Sequence, residues 1–353
     1  MGERTDVAVV GAGVMGLATA HELARAGRDV LVLEQFELGH SRGSSHGSSR
    51  IFRMAYEDPS YVAMARAALP LWQELERESG QKLLHTTGSL DVGPNVGALL
   101  SALEANGVAA EILDRRELRR RFPALRLPQS EALFHADGGF ARADLAHALL
   151  VQSARAHGAE VRERTPVQRI HVEDGGVAVE TAEDSVPARA AVVAAGAWAT
   201  KLLAPLGIEL PVTVTRETVV YFGLAEPNGL PTVIDRSQSL SARREHYALP
   251  GPGIGLKTGI HRSGTVADPD SEGAPDERVV EAAGAWVRER YRLAQADPVL
   301  VETCLYTSTE DERFIFERLG PVVVCSACSG HGFKFVPEVG RRAAALAEEA
   351  LAS

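Results

Sequence analysis

The sequence is poor in cysteine and lacks any long apolar run. Its 353 residues include only three cysteines, Cys304, Cys325 and Cys328. Three are too few for a disulfide framework, as expected of a protein from a reducing compartment. No stretch reaches the ~18 consecutive apolar residues of a membrane span. Glycines interrupt the first apolar run too early for a signal-peptide core. We therefore expect a cytoplasmic protein that does not enter a membrane.

Basic residues are outnumbered by acidic residues. The chain has 37 lysine and arginine residues against 47 aspartate and glutamate residues, a formal net charge of −10. Such a balance disfavours non-specific binding to nucleic acid. An anionic substrate would therefore need a local group of cations. The length suggests about two domains, and the composition is ordinary for a globular enzyme.

The first 34 residues carry a dinucleotide-binding pattern. The run DVAVV predicts a buried strand, GAGVMG follows it directly, and LATAHELARAG has helical spacing. Gly11 suits the tight turn, Gly13 permits close approach of a pyrophosphate, and Gly16 permits close packing of helix on strand. The next strand ends at Glu34, whose carboxylate can accept hydrogen bonds from a ribose. This acid disfavours NADP, but the motif does not separate NAD from FAD.

A second glycine-containing turn lies in RAAVVAAGAWATKLL, where Gly196 stands between a predicted strand and a helix start. Helical and strand-like segments precede this turn. One parallel sheet with a small antiparallel crossover layer would explain their order. This order is common in FAD-binding domains, although an ordinary strand-to-helix turn has the same appearance.

A polar, glycine-rich loop, GHSRGSSHGSSRIFR, follows the acid of the second strand and should lie beside the cofactor. The chain resembles the family of monomeric sarcosine oxidase and N-methyltryptophan oxidase in this loop and in three further segments, GIGLKTGIH, ETCLYTSTEDERFIF and CSGHGFKFVPEVG. That family lies within the D-amino-acid-oxidase-like flavoenzymes, and the resemblance covers nearly the whole chain in order.

The resemblance implies an α/β fold of two interleaved domains. An FAD-binding domain of the glutathione-reductase and D-amino-acid-oxidase type would comprise residues 1–82, 141–210 and 313–353. A mostly antiparallel β-sheet substrate domain would comprise residues 83–140 and 211–312. Relatives commonly continue with a tail that packs on the cofactor domain, whereas this sequence stops soon after its last predicted helix.

The resemblance also implies a reaction. A secondary amine, from an N-methyl or cyclic amino acid, would lose a hydride equivalent to FAD and become an imine, and O2 would be reduced to hydrogen peroxide. The small-molecule substrate and O2 would be the only partners, and the protein would be a monomer. Cys304 matches the cysteine that carries the flavin covalently, although a buried free cysteine is the plain alternative.

Site residues follow from the same resemblance. Arg53 and Lys334 would bind the substrate carboxylate, the first as a planar fork and the second as a point charge. Lys257 would assist oxygen reduction, His261 would face the amine, and Tyr306 would line the pocket. The residues expected to contact the cofactor are Gly11, Gly13, Gly16, Glu34, Ser44, Ser45, Ser49, Arg50, Gly196, Cys304, Gly330, His331, Gly332, Phe333 and Lys334.

Two features depart from this picture. In the family a Tyr-Tyr pair is frequent upstream of the strand that carries the lysine, whereas this chain has His246-Tyr247. His246 would therefore either line the pocket and change substrate preference or face solvent.

Cys325 and Cys328 form C-x-x-C at the end of a strand. A redox pair usually opens a helix, and no second pair is evident, so we predict a structural role and no metal site.

Other functions compete with the oxidase. A dehydrogenase of the same fold would pass electrons to an acceptor other than oxygen, and Lys257 argues against it. A non-catalytic FAD-binding subunit would not need Arg53, Lys334 and Lys257. A plain NAD dehydrogenase would leave Cys304 and the SGHGFK segment without a purpose.

Overall fold

The computed structural model describes residues 4–127, 129, 131–224, 229–237, 245–292 and 297–353. The strands in chain order are β1 (Thr5–Val10), β2 (Val30–Leu33), β3 (Ser49–Phe52), β4 (Leu84–His85), β5 (Ser89–Val92), β6 (Glu111–Asp114), β7 (Glu131–His135), β8 (Gly139–Arg142), β9 (Glu160–Arg162), β10 (Arg169–Glu173), β11 (Gly176–Glu180), β12 (Ser185–Val193), β13 (Thr213–Gly223), β14 (Thr232–Asp235), β15 (His246–Gly251), β16 (Gly255–Ile260), β17 (Thr265–Val266), β18 (Pro298–Ser308), β19 (Ile315–Leu319) and β20 (Val322–Ser326). The helices are α1 (Val14–Arg25), α2 (Pro59–Ser79), α3 (Val96–Ala105), α4 (Arg115–Arg121), α5 (Ala143–Ala156), α6 (Ala199–Leu203), α7 (Glu277–Arg290) and α8 (Val336–Leu351).

The eight-stranded sheet carries the predicted dinucleotide turn. Its path runs β10-β11-β12-β1-β2-β9, with β20 beside β12 and β19 beside β20. Strand β1 is parallel to both β2 and β12. Val7 and Val9 belong to the buried cluster that includes α1, α5 and α8, whereas Ala8 and Val10 belong to the cluster on the opposite face. Both faces are therefore covered, which explains the continuous apolar run DVAVV.

The nine-stranded sheet supplies much of the remaining chain. Its path runs β17-β13-β16-β15-β14-β5-β7-β6, with β18 beside β13, and only the β14–β5 pair is parallel. Helix α7 covers one face, where Trp286 packs with Phe222 in a buried cluster. The buried Asp235 carboxylate accepts hydrogen bonds from Trp286 Nε1 at 2.9 Å and Arg290 Nε at 2.8 Å. These bonds satisfy a polar group that would otherwise destabilise the core.

The fold-class prediction is confirmed, because a mixed α/β unit with a mainly parallel sheet accompanies a mostly antiparallel sheet. The third sheet has three short strands in the order β3-β8-β4. The domain boundaries given above stay a prediction. Within the described ranges, no helix is long and apolar enough to cross a membrane.

Candidate active site

One large cavity, of about 1330 Å³, brings the predicted site residues together. Its walls come from the glycine turn after β1, the loop before β3, strands β15, β16 and β18, and the segment before α8. A volume above the ~300–1,000 Å³ of most ligand pockets is suited to a dinucleotide and a second small molecule. Of the predicted site residues, all but Gly16 and His246 line it.

The glycine turn has no room for a side chain at Gly11 or Gly16. Gly11 has φ +102°, and a Cβ there would lie 2.7 Å from the carbonyl oxygen of Ala194. A Cβ on Gly16 would lie 2.0 Å from the carbonyl oxygen of Gly11, so this residue allows α1 to pack closely on the turn. Helix α1 has Gly13 at its N-cap, which has no side chain to cap it, and the backbone N–H of Val14 donates to Ser45 Oγ at 3.1 Å. Its positive end therefore fits an anion such as a pyrophosphate.

Glu34 closes the same end of the cavity at the end of β2. Its carboxylate accepts hydrogen bonds from the backbone N–H groups of Ala12 at 2.8 Å and Phe36 at 3.0 Å, and His40 Nε2 lies 3.5 Å away. Burial acts to raise the pKa of Glu34, but hydrogen bonds from His40, Phe36 and Ala12 outweigh it and hold the pKa below its usual value. The ionised acid and the tight glycine turn fit the ribose and pyrophosphate of FAD.

The polar loop before β3 is held mainly by its own backbone. Arg50 donates to the carbonyl oxygens of Ser44 at 2.9 Å and His46 at 2.5 Å. The Ser49 hydroxyl donates to Pro250 at 2.8 Å, and the Ser44 hydroxyl bonds to the Leu305 carbonyl. Three of the predicted cofactor ligands, Ser44, Ser49 and Arg50, thus use side-chain donors within the protein. The cofactor roles of Ser44, Ser45, Ser49 and Arg50 stay predictions.

Lys257 and Cys304 lie on strands β16 and β18 beside this loop. The Lys257 ammonium group, 4% exposed, donates to the Ser49 carbonyl oxygen at 2.8 Å. Burial, and then the charge of Arg50, places the pKa of Lys257 well below its ordinary value. Burial raises the pKa of the Cys304 thiol to about 11, although Arg50 and Lys257 act to lower it.

The predicted carboxylate ligands, Arg53 and Lys334, meet at one aromatic ring. The Arg53 guanidinium carbon lies 4.4 Å from the Tyr56 ring centroid, and Lys334 Nζ lies 5.5 Å from the same centroid. Lys334 Nζ donates to the His331 carbonyl oxygen at 2.6 Å. Burial, and then Arg53, lowers the pKa of Lys334 well below its usual value. The fold thus joins two cations that are distant in the sequence.

A chain of charges beside these cations was missed from the sequence. Asp91 Oδ1 lies 3.6 Å from Arg53 Nη1 and 3.0 Å from Arg236 Nη1. Arg236 Nε in turn lies 2.7 Å from Glu245 Oε2. Arg236 and Glu245 line the cavity. Nothing local in the sequence marks these residues, because they come from separate strand ends.

His246, for which the sequence left open a place in the pocket or a place facing solvent, is not among the residues that line the cavity. Its ring stacks on Trp286 at 5.3 Å between centroids, on the side of the sheet covered by α7. Tyr247 lines the cavity instead. Successive side chains of a strand point to opposite faces, so the alternation of Tyr247 and Leu249 could have identified this residue.

The remaining predicted groups form an aromatic and charged wall. His261 Nε2 lies 3.5 Å from Glu312 Oε2, and its ring is 5.6 Å from that of Tyr306. Burial acts to raise the pKa of Glu312, but His261 and Arg262 outweigh it and lower the pKa to about 2. Glu312 therefore stays ionised beside His261.

His331 is engaged with the protein through both ring nitrogens. Nε2 lies 3.0 Å from the Glu312 carbonyl oxygen and Nδ1 lies 3.2 Å from the Tyr56 hydroxyl. A carbonyl oxygen only accepts, so Nε2 carries the proton and Nδ1 accepts from Tyr56. Burial, and then Lys334, lowers the pKa of His331 to about 3, and the ring is neutral at physiological pH.

The C-x-x-C pair also reaches the cavity. Cys325 and Cys328 line it together with Cys304, and all three thiols are free. Burial raises the pKa of Cys325 to about 12. Over the part of the chain that the structure describes, no cluster of three or more His, Cys, Asp or Glu side chains could hold a metal ion.

Comparisons with known proteins agree with this geometry. Residues 6–346 match the family described as FAD dependent oxidoreductase (DAO). The chain is 36% identical to the peroxisomal sarcosine oxidase of Homo sapiens, covering 95% of this chain and 90% of that protein. It is also 36% identical to the monomeric sarcosine oxidase of Streptomyces avermitilis, with 97% and 93% covered. The solved structure of NikD, an unusual amino acid oxidase, superposes with a TM-score of 0.88 at 29% identity, covering 98% of this chain and 94% of that one.

Proposed function

The chain belongs to the family of FAD-dependent oxidoreductases that includes the sarcosine oxidases, and we propose that it oxidises a secondary amino acid to an imine. The substrate would be an N-methyl or cyclic amino acid. The names of the two relatives, both sarcosine oxidases, support the N-methyl class, and the NikD likeness supports an amino acid substrate.

The meeting of Arg53 and Lys334 at the Tyr56 ring is the observation on which this proposal depends. A carboxylate is held best by convergent charged donors in a site from which water is excluded. Both side chains are less than 10% exposed and line the same cavity as the dinucleotide turn. A protein that only stored FAD would not need this arrangement.

The other groups of this half of the cavity would orient the amine. When bound, FAD supplies the two-electron oxidation of the carbon–nitrogen bond and passes the electrons on. Arg53 and Lys334 would anchor the carboxylate, while the rings of Tyr247 and Tyr306 would exclude water. His261, held near the ionised Glu312, would face the amine.

We propose oxygen as the electron acceptor, with Lys257 assisting. Its buried amino group donates to the Ser49 carbonyl oxygen, next to Arg50, and positive charge here would stabilise the negative charge that develops when oxygen takes up electrons. Hydrogen peroxide formed in air, one per imine, would support this acceptor. Reduction of an artificial dye without peroxide would instead identify a dehydrogenase.

We also propose that Cys304 tethers the flavin covalently. Its thiol lines the cavity and lies among Lys257, Arg50 and Tyr247. Acid-precipitated wild-type protein should remain yellow, and Cys304→Ser should release the colour. Cys328→Ser is the matched control, because Cys328 also lines the cavity. Release of colour from the wild type would leave FAD bound without a covalent bond.

The substrate class is tested by anaerobic flavin reduction with a panel of sarcosine, N-methyltryptophan, pipecolate and proline. At least one member should bleach the flavin, and Arg53→Gln should raise the substrate concentration needed by at least about tenfold. Arg28→Gln is a surface control, because Arg28 pairs with Glu348 across 2.6 Å at the exterior. No bleaching by any secondary amino acid would refute the proposal. The name of the Streptomyces relative supports a monomer, and location in the cytoplasm stays a prediction.

A further inference from the structure

Lysine is rare in this chain, and its few occurrences fall into two kinds. The sequence has four lysines among its 37 basic residues, and the other 33 are arginines. Lys82 and Lys201 have exposed side chains, which pair with Glu76 at 3.0 Å and Asp268 at 2.9 Å, and Lys201 also lines the cavity. Lys257 and Lys334 line the cavity, each 4% exposed. Among the described residues, neither has an acid within ion-pair distance.

Lysine differs from arginine in one property that matters here. An arginine stays charged at any accessible pH, whereas a buried lysine can exist as a neutral amine that accepts a proton. At Arg53 the chain has the permanent cation, and at Lys334, beside the same Tyr56 ring, it has the one that can change its charge. The two positions are therefore suited to different tasks.

The described surroundings of Lys334 give it no acidic partner. Its Nζ donates to the His331 carbonyl oxygen at 2.6 Å and faces the rings of Tyr56 and Phe335 at 5.5 and 5.2 Å. The charge of Glu245 acts to raise the pKa of Lys334, but this carboxylate lies 2.7 Å from Arg236 Nε. The other charged groups around this part of the cavity include Arg53, Glu57, Asp91, Arg236, His261, Glu312 and His331. The Glu57 carboxylate accepts a hydrogen bond from Asn95 Nδ2 at 2.6 Å.

The balance of these charges determines what an incoming ligand must supply. Arg53 and Arg236 are balanced by Asp91 and Glu245, at separations of 2.7–3.6 Å. Glu312 is balanced by Arg262 at 2.7 Å. A charged Lys334 would thus be buried with no counter-ion among the described residues, which is strongly unfavourable. A neutral Lys334 is favoured until a carboxylate arrives.

We propose that Lys334 is the base that takes the ammonium proton of the substrate when the substrate carboxylate binds. The proposal rests on the function proposed above. A secondary amino acid arrives as a zwitterion. One N–H bond of its ammonium breaks and one N–H bond forms at Lys334 Nζ, so the total charge does not change. The product is a neutral amine with a free lone pair, beside a carboxylate now paired with charged Lys334 and Arg53.

This transfer would supply the free amine, which is scarce near pH 7. An alkylammonium group has a pKa of about 10, so near pH 7 only about one molecule in a thousand carries the free amine needed for oxidation. The amine and carboxylate of an α-amino acid are attached to one carbon. A group that binds the carboxylate therefore lies within reach of the amine proton. Arg53 can hold the carboxylate but cannot accept this proton.

A proton count on the oxidised holoenzyme tests the proposal directly. Pivalate and 2-aminoisobutyrate have the same shape, but only the second carries an ammonium group, and neither has an oxidisable α-hydrogen. Titration calorimetry in two buffers of different ionisation enthalpy, at pH 7.5, measures the protons taken up. Wild-type protein should take up about one proton per bound pivalate and none per bound 2-aminoisobutyrate. Equal uptake for the two ligands would overturn the proposal.

The variant Lys334→Arg separates proton acceptance from charge. It should still bind pivalate, but with no proton uptake. Its anaerobic rate of flavin reduction should rise about tenfold per pH unit from pH 7 toward the pKa of the amine, because only free amine reacts. Lys82→Arg, at the exposed pair with Glu76, should match the wild type. A wild-type pH profile in Lys334→Arg would refute the role of Lys334 as the base.

The outcomes distinguish the two proposals. If no secondary amino acid reduces the wild-type flavin, the proposed function fails, while the proton count with pivalate still decides whether Lys334 is neutral at rest. If sarcosine reduces the flavin but pivalate binds without proton uptake, the function stands and the inference fails. If Lys334→Arg does not fold, the comparison of the two isosteric ligands on wild-type protein decides alone.

Discussion

Replacing Gly330 by alanine should displace a ring of the active-site wall. Gly330 has φ +72°, and a Cβ there would lie 2.1 Å from Cε2 of Tyr306 and 2.6 Å from its Cδ2 and Cζ. Carbon atoms in favourable contact are about 3.5–4.0 Å apart, so the ring must move by more than about 1 Å. The left-handed backbone costs about 1–2 kcal/mol with alanine, and overpacking adds about 1–3 kcal/mol.

Gly320→Ala is the matched control. Gly320 also has a positive φ, +61°, but no heavy atom of the described chain lies within 4 Å of the position that a Cβ would take there. It should lose only the backbone contribution of about 1–2 kcal/mol. The difference between the two variants therefore isolates the clash with Tyr306.

Urea unfolding of the holoenzyme, followed by far-ultraviolet circular dichroism, measures both free energies of unfolding. Gly330→Ala should lie about 1–3 kcal/mol below Gly320→Ala, and its dissociation constant for pivalate, read from the flavin spectrum, should rise while that of Gly320→Ala stays unchanged. Equal stabilities and equal pivalate binding would show that Tyr306 does not occupy this position against the glycine segment.

Three further changes test other parts of the molecule. Gly16→Ala places a Cβ 2.0 Å from the Gly11 carbonyl oxygen and should lower the FAD content of purified protein, measured by absorbance, whereas Gly27→Ala, with nothing described within 4 Å, should retain it. Lys257→Met should slow reoxidation of reduced enzyme by oxygen at least about 100-fold in stopped-flow measurements, and an unchanged rate would contradict its role. Burial, and then the charge of Arg25, lowers the pKa of His21 in the folded protein from 6.5 to about 4. Between these two pH values the unfolded chain binds more protons than the folded one, so the free energy of unfolding falls as the pH drops. His21→Gln should remove up to about 3 kcal/mol of that loss, and an unchanged slope of unfolding free energy against pH would refute the assignment.

Local sequence patterns were sufficient where the chemistry is local. The turn was predictable because Gly11, Gly13 and Gly16 lie within one strand, turn and helix, and the structure has close backbone contacts at Gly11 and Gly16. The contact of Gly13 with a pyrophosphate stays a prediction. The fold class followed from the order of these elements and from the family resemblance. The sequence left two places open for His246, and the structure stacks it on Trp286, while Tyr247, the next residue of the strand, lines the cavity.

The amino-acid order by itself determined the nucleotide turn, the acid that completes it and the rarity of lysine. Only the tertiary structure decided that Arg53 and Lys334 both contact the Tyr56 ring. It also decided that Asp91 and Glu245 form ion pairs with Arg236 and so are not paired with Lys334. Helix and turn patterns depend on neighbours a few residues away. The charge state of a buried amine depends instead on every group that the fold places around it.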